Sequence, residues 1–276
     1  MSEPNASIFN VDKAPLSHRI HEQLLARLDQ AERLLHDSAV THEAAVHQSR
    51  KNMKWVRAVL RLIADATGHD LREEERLCRD IGLRLCELRD ADVNLLSLRE
   101  TVLASGGRLK RADVADFERY LEARRARLLD AGAFDTAFVA VIRDELRELA
   151  GDLAKRPVPP LTPATVSLAV KRTRAGGASV FRGLSGRTRP EQWHTLRKRT
   201  KREYHQRSVL ADPADTDRVE LLERLGDQLG WHQDLQVLRS VARDHGDLTP
   251  ALGAEIGRQL RNARRRARRL ATRVYG

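Results

Sequence analysis

Two segments of this sequence carry the same pattern of histidine and cationic residues, H-x-x-R-K-x-x-K. The first stripe contains His47, Arg50, Lys51 and Lys54, and the second stripe contains His194, Arg197, Lys198 and Lys201. Residues three, four and seven positions apart lie on one face of an α-helix, so each segment predicts a helix with a cationic face. Ammonium and guanidinium groups form charge-assisted hydrogen bonds with phosphate oxygens. The two stripes therefore indicate a polyanion-binding surface.

The first stripe has no acidic partner on its own helix. It continues along the same arc to Arg57 and Arg61, and the segment from Ala44 to Ala64 has five Lys or Arg residues and no carboxylate. Ordinary surface segments of this chain, such as 71–76, mix both signs of charge. Like charges at i,i+4 each cost about 0.2–0.5 kcal/mol. An unmixed stripe therefore favours a polyanion-binding face over a merely solvated one.

The end of the chain repeats this arrangement with arginine. A predicted helix over 249–275 places five arginines on one arc, namely Arg258, Arg261, Arg265, Arg268 and Arg269. Apolar residues keep the helical period on the opposite side, which favours a folded basic helix over a disordered tail. We assign Lys171 and Arg174, on a further predicted helix, to the same basic surface.

The composition also indicates a helical protein with a polyanionic partner. Charged residues make up 32% of the chain, aromatic residues 4%, and the formal net charge is +11. No apolar run approaches the ~20 residues of a membrane span, and the first residues do not resemble a signal peptide, so we expect a soluble cytoplasmic protein. Cys78 and Cys86 fall ~12 Å apart on one predicted helix, too far for a disulfide.

Helical periodicity predicts an all-α fold of two halves. We expect a loose tail over 1–15, helices over 16–38, 41–66, 71–104 (with a break near 88–91), 109–131 and 134–150, a Pro-rich linker over 151–163, and helices over 164–176, 190–210, 215–245 and 249–275, with a Gly-rich break over 176–186. The segment Leu85–Val93 is similar to Leu229–Val237, at nearly the same separation as the stripes. Two such recurrences indicate an internal duplication. The halves 16–150 and 164–276 are then two bundles of about four helices, related by pseudo-twofold symmetry.

Catalytic and metal-binding alternatives have little support in the sequence. His69 and Asp70 look like the pair of metal-dependent HD-type hydrolases, but no matching ligands are found on neighbouring helices. Asp90 and Asp92 point to different sides of a helix and cannot chelate one ion there. We expect Asp90 and Asp234 to cap a helix or to hold a basic side chain in place. No phosphate-binding glycine loop and no nucleophile with a base is visible, so we predict no enzyme, no cofactor and no metal.

The two stripes, the segments 89–93 and 233–237 and the Arg-rich last helix resemble the CHAD domain, the conserved histidine α-helical domain, over about residues 17–275. The resemblance implies two four-helix bundles and a basic groove or pore that binds inorganic polyphosphate. The ligand-facing residues that it implies are His47, Arg50, Lys51, Lys54, Arg57, His194, Arg197, Lys198, Lys201 and Arg202. Whether the two histidines touch the ligand stays open.

Two departures from the family pattern predict weaker binding by the second half. Gln236 stands where the family prefers Asp, and Tyr204 stands opposite Arg57. Nothing resembles the CYTH domain that many relatives carry, so we expect a stand-alone binding module. A nucleic-acid-binding helical protein is the main alternative, and a metal-dependent phosphohydrolase is a further one. A scaffold that coats polyphosphate granules is compatible with binding.

Overall fold

The computed structural model describes residues 14–184, 189–210 and 212–276. Within these ranges the chain forms α-helices and short 3-10 turns and no strand, which confirms the all-α fold class. The helices are α1 (Leu16–His36), α2 (His42–Thr67), α3 (Arg72–Arg84), α4 (Cys86–Ala104), α5 (Ala115–Asp130), α6 (Thr136–Lys155), α7 (Pro163–Arg182), α8 (Pro190–Leu210), α9 (Thr216–His245) and α10 (Pro250–Tyr275). None of the helices described is long and apolar enough to cross a membrane.

Local sequence determines where helices α2 and α10 begin and where α2 ends. The side chain of Thr41 accepts a hydrogen bond from the backbone of Ala44, so α2 begins just before the first stripe. Gly68 ends α2 with a φ of 78°, a left-handed conformation that glycine adopts without steric cost. Thr249 caps the N-terminal end of α10, the last helix, in the same way as Thr41 caps α2.

Three apolar cores hold the helices together. The largest lies mainly among α1, α2, α3, α6 and α7. A second lies among α8, the first half of α9 and the end of α10. The third joins α4 and α5 to the end of α9 and the start of α10. Two of the three cores therefore contain helices from both sides of the Pro-rich segment, so the two sequence halves pack as one body.

Three predicted boundaries were wrong. Helix α7 continues through Gly176 and Gly177 to Arg182, whereas we predicted a break there; residues 185–186 of that predicted break lie outside the described residues. A Cβ at Gly177 would lie 2.7 Å from the ring of Tyr275, so this glycine permits a close helix contact instead of ending a helix. The break in the long third helix falls at Leu85, before the predicted 88–91. Helix α6 runs on to Lys155, so only the latter part of the predicted linker is non-helical.

The predicted tail over 1–15 falls mostly outside the described residues. Both cysteines are free thiols; Cys78 is buried and Cys86 is half-buried.

Candidate anion-binding site

The two stripes meet where α2 packs against α8. At this crossing the amide of Gln206 on α8 donates a 3.1 Å hydrogen bond to the backbone oxygen of Ala58 on α2. Both residues are buried, so the contact fixes the two helices against each other. Helices α4 and α9, which carry the similar segments 85–93 and 229–237, contact each other and lie beside α2 and α8 respectively. The four elements singled out by the sequence therefore come together.

Lys54 lies at the centre of this arrangement. The cations that act on it are Arg50 on α2, Arg89 on α4 and Arg197 on α8. We call these four residues the Lys54 cluster. The three arginines are half-buried, and the side chain of Lys54 is exposed, although the protein around it desolvates it in part. Burial and the repulsion from the arginines lower the pKa of Lys54 to about 8.

The Lys54 cluster has no carboxylate within ion-pair distance among the described residues. The one hydrogen bond found there joins the guanidinium of Arg50 to the backbone oxygen of Gly82. Some half-buried arginines elsewhere in the described chain are paired with acids: Arg143 contacts Glu32 at 2.6 Å, for example. The positive charge of the cluster is therefore left largely uncompensated by the protein.

Asp234 is the carboxyl group that faces the cluster from α9. Burial raises its pKa, while Arg197, Arg89 and Lys54 act to lower it. Asp90, its counterpart on α4, is exposed and accepts a 3.3 Å hydrogen bond from the thiol of Cys86. The structure thus places Asp234 among cations, whereas the hydrogen bond described for Asp90 comes from a thiol. The supporting role of both acids stays a prediction.

The histidines that open the stripes border the cluster. Burial first, and then the charges of Arg89 and Lys51, lower the pKa of His47. Burial and the charges of Lys198 and Arg197 lower the pKa of His194 in the same way. Both imidazoles are therefore held in the neutral form at neutral pH, in which they can orient a neighbour or accept a hydrogen bond but add no charge.

Two glycines of α9 make room for the second stripe. A Cβ at Gly226 would lie 2.6 Å from the Cε of Lys201, and a Cβ at Gly230 would lie 3.6 Å from the guanidinium of Arg197. The long stems of both cations therefore lie directly on the α9 backbone. Unlike Lys54, Lys201 has an acidic partner, because its Nζ lies 2.9 Å from Asp227.

A second group of cations lies further along α2 and α8 and is partly neutralised. Arg61 is within ion-pair distance of Asp65, at 3.4 Å, and of Glu75, at 3.5 Å. The same two acids face Arg202, together with Arg199. These acidic partners could not be seen in the acid-free segment from Ala44 to Ala64, because Asp65 lies just beyond that segment and Glu75 comes from α3. Arg57 is half-buried and acts on the buried thiol of Cys78.

The basic residues predicted on α10 and α7 make polar contacts of their own, and their predicted part in ligand binding stays a prediction. Arg258 pairs with Glu255, and Arg268 donates a 3.0 Å hydrogen bond to the backbone oxygen of Leu184. The remaining members, namely Lys171, Arg174, Arg261, Arg265 and Arg269, are exposed. In the described part of the chain, no hydrogen bond or ion pair connects any of these side chains to the cluster.

The sequence reasoning missed two cations and one histidine of this region. Arg89 belongs to the recurring 85–93 segment, and its position in that repeat was an available signal. Arg27 on α1 donates a 3.4 Å hydrogen bond to Asn52 and acts on His205, as Lys54 does. No local pattern marks Arg27, because the arginines of α1 are interspersed with acidic residues. Burial and these cations lower the pKa of His205 to about 3.

The residues considered for a metal-dependent hydrolase form a simple turn. His69 lies 3.1 Å from the hydroxyl of Thr67, and Asp70 pairs with Arg72 at 2.6 Å. All four of these side chains are exposed or half-buried at the surface. Over the described ranges, no group of three or more His, Cys, Asp or Glu residues could hold a metal ion.

The fold and the site together define a class of protein. It is an all-helical chain in which cations from both sequence halves form one cluster. The family comparison is specific: residues 19–243 match the CHAD domain, and the chain belongs to this family. The match ends before α10. No curated protein sequence matches the chain.

Two solved structures are similar in fold. PptA from Streptomyces chartreusis has 19% identity and a TM-score of 0.61, and the alignment covers 95% of this chain and 98% of that chain. The CHAD domain from the plant Ricinus communis has 18% identity and a TM-score of 0.59, and the alignment covers 93% of this chain and 89% of that chain. Both alignments extend over nearly the whole chain, so the fold likeness is not confined to one half.

Proposed function

We propose that this protein binds inorganic polyphosphate, without catalysis, at the Lys54 cluster and the two stripes beside it. The observation that carries the proposal is the convergence of cations from α2, α4 and α8 on one place with no carboxylate within ion-pair distance in the described chain. Cations brought together in this way repel one another, and the cost is recovered when an anion binds between them. Membership of the CHAD domain family supports polyphosphate as that anion.

The expected energetics suit a linear polyanion. Each charge-assisted hydrogen bond to a phosphate oxygen contributes ~1.5–3 kcal/mol before screening. Several such bonds along one chain would give tight binding that weakens steeply with salt, because the bound polyanion releases counterions. Association with polyphosphate granules in the cytoplasm would follow from the same contacts.

Nucleic acid is the main alternative ligand. Proteins that bind single strands usually stack bases on exposed aromatic rings. Here Trp55 and Trp193 are buried, and Trp231 is half-buried against an apolar core. The three tryptophans are therefore poorly placed for base stacking, which favours a phosphate chain without bases. Competition between polyphosphate and single-stranded or duplex DNA of equal charge would decide the matter, and preferential DNA binding would overturn the choice.

The direct test compares polyphosphate-binding isotherms at two salt concentrations for the wild type and for Lys54→Glu/Lys201→Glu. A matched control is Lys110→Glu/Lys155→Glu, which makes the same charge change at two exposed lysines that belong to neither stripe. We expect the first double variant to lose most of the affinity and the control to lose little. Equal losses in both variants would mean that overall charge, and not this site, determines binding.

A phosphohydrolase would show itself by turnover. Incubation with polyphosphate and a divalent metal should leave the chain length unchanged, as judged by gel electrophoresis. Metal-dependent shortening that Asp90→Ala abolishes would contradict the non-catalytic proposal.

A further inference from the structure

Neutral groups, and not an acid, hold the guanidinium of Arg27 on α1. Its central carbon lies 5.2 Å from the centre of the Trp55 ring on α2. One of its nitrogens donates a 3.4 Å hydrogen bond to the amide oxygen of Asn52, also on α2. Asn52 is fully buried, and its amide also forms hydrogen bonds with Gln48, at 3.3 Å, and with Gln30, at 3.2 Å. This network orients Arg27 without neutralising its charge.

The acidic residues of α1 do not compensate Arg27. Each of them is within ion-pair distance of another side chain: Glu22 of His18, Asp29 of Arg33, and Glu32 of Arg143. Among the described residues, no carboxylate lies within that distance of Arg27. The guanidinium is half-buried, so part of it faces solvent. A cation that is oriented but not neutralised is prepared to bind an anion from outside, because little further ordering is needed on binding.

Arg27 lies at the edge of the first stripe. Trp55, the ring that it covers, lies four residues after Lys51, and residues at this spacing are neighbours on the surface of a helix. Helices α1, α2 and α8 all contact one another. Where they meet, the buried ring of His205 on α8 has a pKa lowered to about 3, first by burial and then by four cations, namely Lys201, Lys54, Lys51 and Arg27. Arg27 therefore borders lysines of both stripes.

We propose that Arg27 is a further polyphosphate-binding residue, so that the bound polyanion extends from the two stripes onto α1. The inference rests on the polyphosphate binding proposed above and adds a helix to that same site. A guanidinium has several N–H donors, and in the described chain one hydrogen bond is found for this one, to Asn52. The remaining donors can bind phosphate oxygens while the ring of Trp55 and the amide of Asn52 keep the group in position.

The experiment measures the affinity of the full chain for long-chain polyphosphate at several salt concentrations, for the wild type and for Arg27→Gln. We expect the variant to bind about tenfold more weakly and to reduce the slope of log affinity against log salt by about one, because one phosphate contact is lost. The matched control is Arg33→Gln, which makes the same charge change on the same helix, at an exposed arginine 2.7 Å from Asp29. The control should lose little affinity.

Two further variants separate ligand binding from a role in packing α1 on α2. Arg27→Lys keeps the charge and should retain the salt slope of the wild type. Arg27→Met removes the charge, but its stem can still cover the ring of Trp55. It should therefore lose affinity as Arg27→Gln does, and it serves as the neutral variant if Arg27→Gln does not fold. A purely structural role would instead lower the midpoint of thermal unfolding and leave the salt slope unchanged.

The fluorescence of Trp55 gives a second readout. In Trp193→Phe/Trp231→Phe, Trp55 is the sole tryptophan, since the chain has three. Polyphosphate should change its emission, because a bound phosphate neutralises the guanidinium beside the ring. The change should be smaller when Arg27→Gln is added to this background. A change of equal size with and without Arg27 would speak against phosphate contact at this residue.

The outcomes distinguish this inference from the proposed function. A folded Arg27→Gln protein with the affinity and salt slope of the wild type would overturn the inference, as would an equal loss in Arg33→Gln. In either case, weak binding by Lys54→Glu/Lys201→Glu would leave the proposed function intact. Absence of polyphosphate binding by the wild type would instead refute the proposed function.

Discussion

Arg89 offers the sharpest test of how the site is built, because it was not among the cations predicted to face the ligand. It lies half-buried on α4, beside Arg50, His47 and Lys54. The corresponding position in the recurring segment of the second half is Gln233. The substitution Arg89→Gln therefore places at this position the residue that the chain already uses at its counterpart, and removes one positive charge from the cluster.

The expected magnitude follows from the surroundings of Arg89. A charge-assisted hydrogen bond to phosphate contributes ~1.5–3 kcal/mol. The charges of Asp92, Glu43 and Asp234 already act favourably on Arg89 in the free protein, so the net gain on ligand binding lies at the lower end of this range. We expect Arg89→Gln to weaken polyphosphate binding about tenfold and to reduce the slope of log affinity against log salt by about one.

Fluorescence titration with labelled polyphosphate at four salt concentrations measures both quantities. The matched control is Arg79→Gln on α3, where the arginine is exposed and pairs with the adjacent Asp80. Thermal unfolding of each variant shows whether the fold is retained. An Arg89→Gln protein that is folded and keeps the affinity and salt slope of the wild type would refute the assignment, as would an equal loss in the control.

Two further predictions concern packing and the cysteines. Gly177→Ala should lower the free energy of unfolding by ~1–3 kcal/mol, because a Cβ there would lie 2.7 Å from the ring of Tyr275; Gly151→Ala, which meets no atom within 4 Å, should not, and urea denaturation compares them. Cys78 is buried, with a pKa raised to about 12, and should resist a thiol reagent in the folded protein. Cys86 should react, and polyphosphate should slow this reaction because the thiol lies beside the Lys54 cluster. Equal labelling of Cys86 with and without polyphosphate would contradict that position.

Helix positions could be predicted well where the apolar period is regular. The expected helix over 190–210 has the bounds that the structure shows, and α9 and α10 each begin one residue later than predicted. The glycines in α7 misled the prediction for a physical reason. An interior glycine costs a helix only ~1 kcal/mol, and its purpose here is a contact with Tyr275, a residue far away in sequence. A local window cannot contain that information.

The candidate site could be predicted in part, because a stripe is a local property of one helix. Spacing alone identified Lys54 and Arg197. However, whether an acidic side chain neutralises a cation depends on the neighbouring helices. The spacing of residues along one helix does not show this. Glu75 approaches Arg61 from α3, and Arg89 approaches Lys54 from α4. Both facts concern pairs of helices, so they required the three-dimensional structure.

The two stripes differ in their acidic surroundings, although their sequences are alike. In the second stripe Lys201 pairs with Asp227, and the neighbouring Tyr204 donates a hydrogen bond to Glu223. Two residues before the similar segments, the first-half residue that corresponds to Asp227 is Leu83, which has no charge. A polyanion approaching the second stripe must therefore compete with a carboxylate for Lys201, whereas one approaching Lys54 meets no such competitor within ion-pair distance in the described chain. We therefore expect the first half to supply the larger share of the electrostatic binding free energy, the same direction that Tyr204 and Gln236 predict from the sequence.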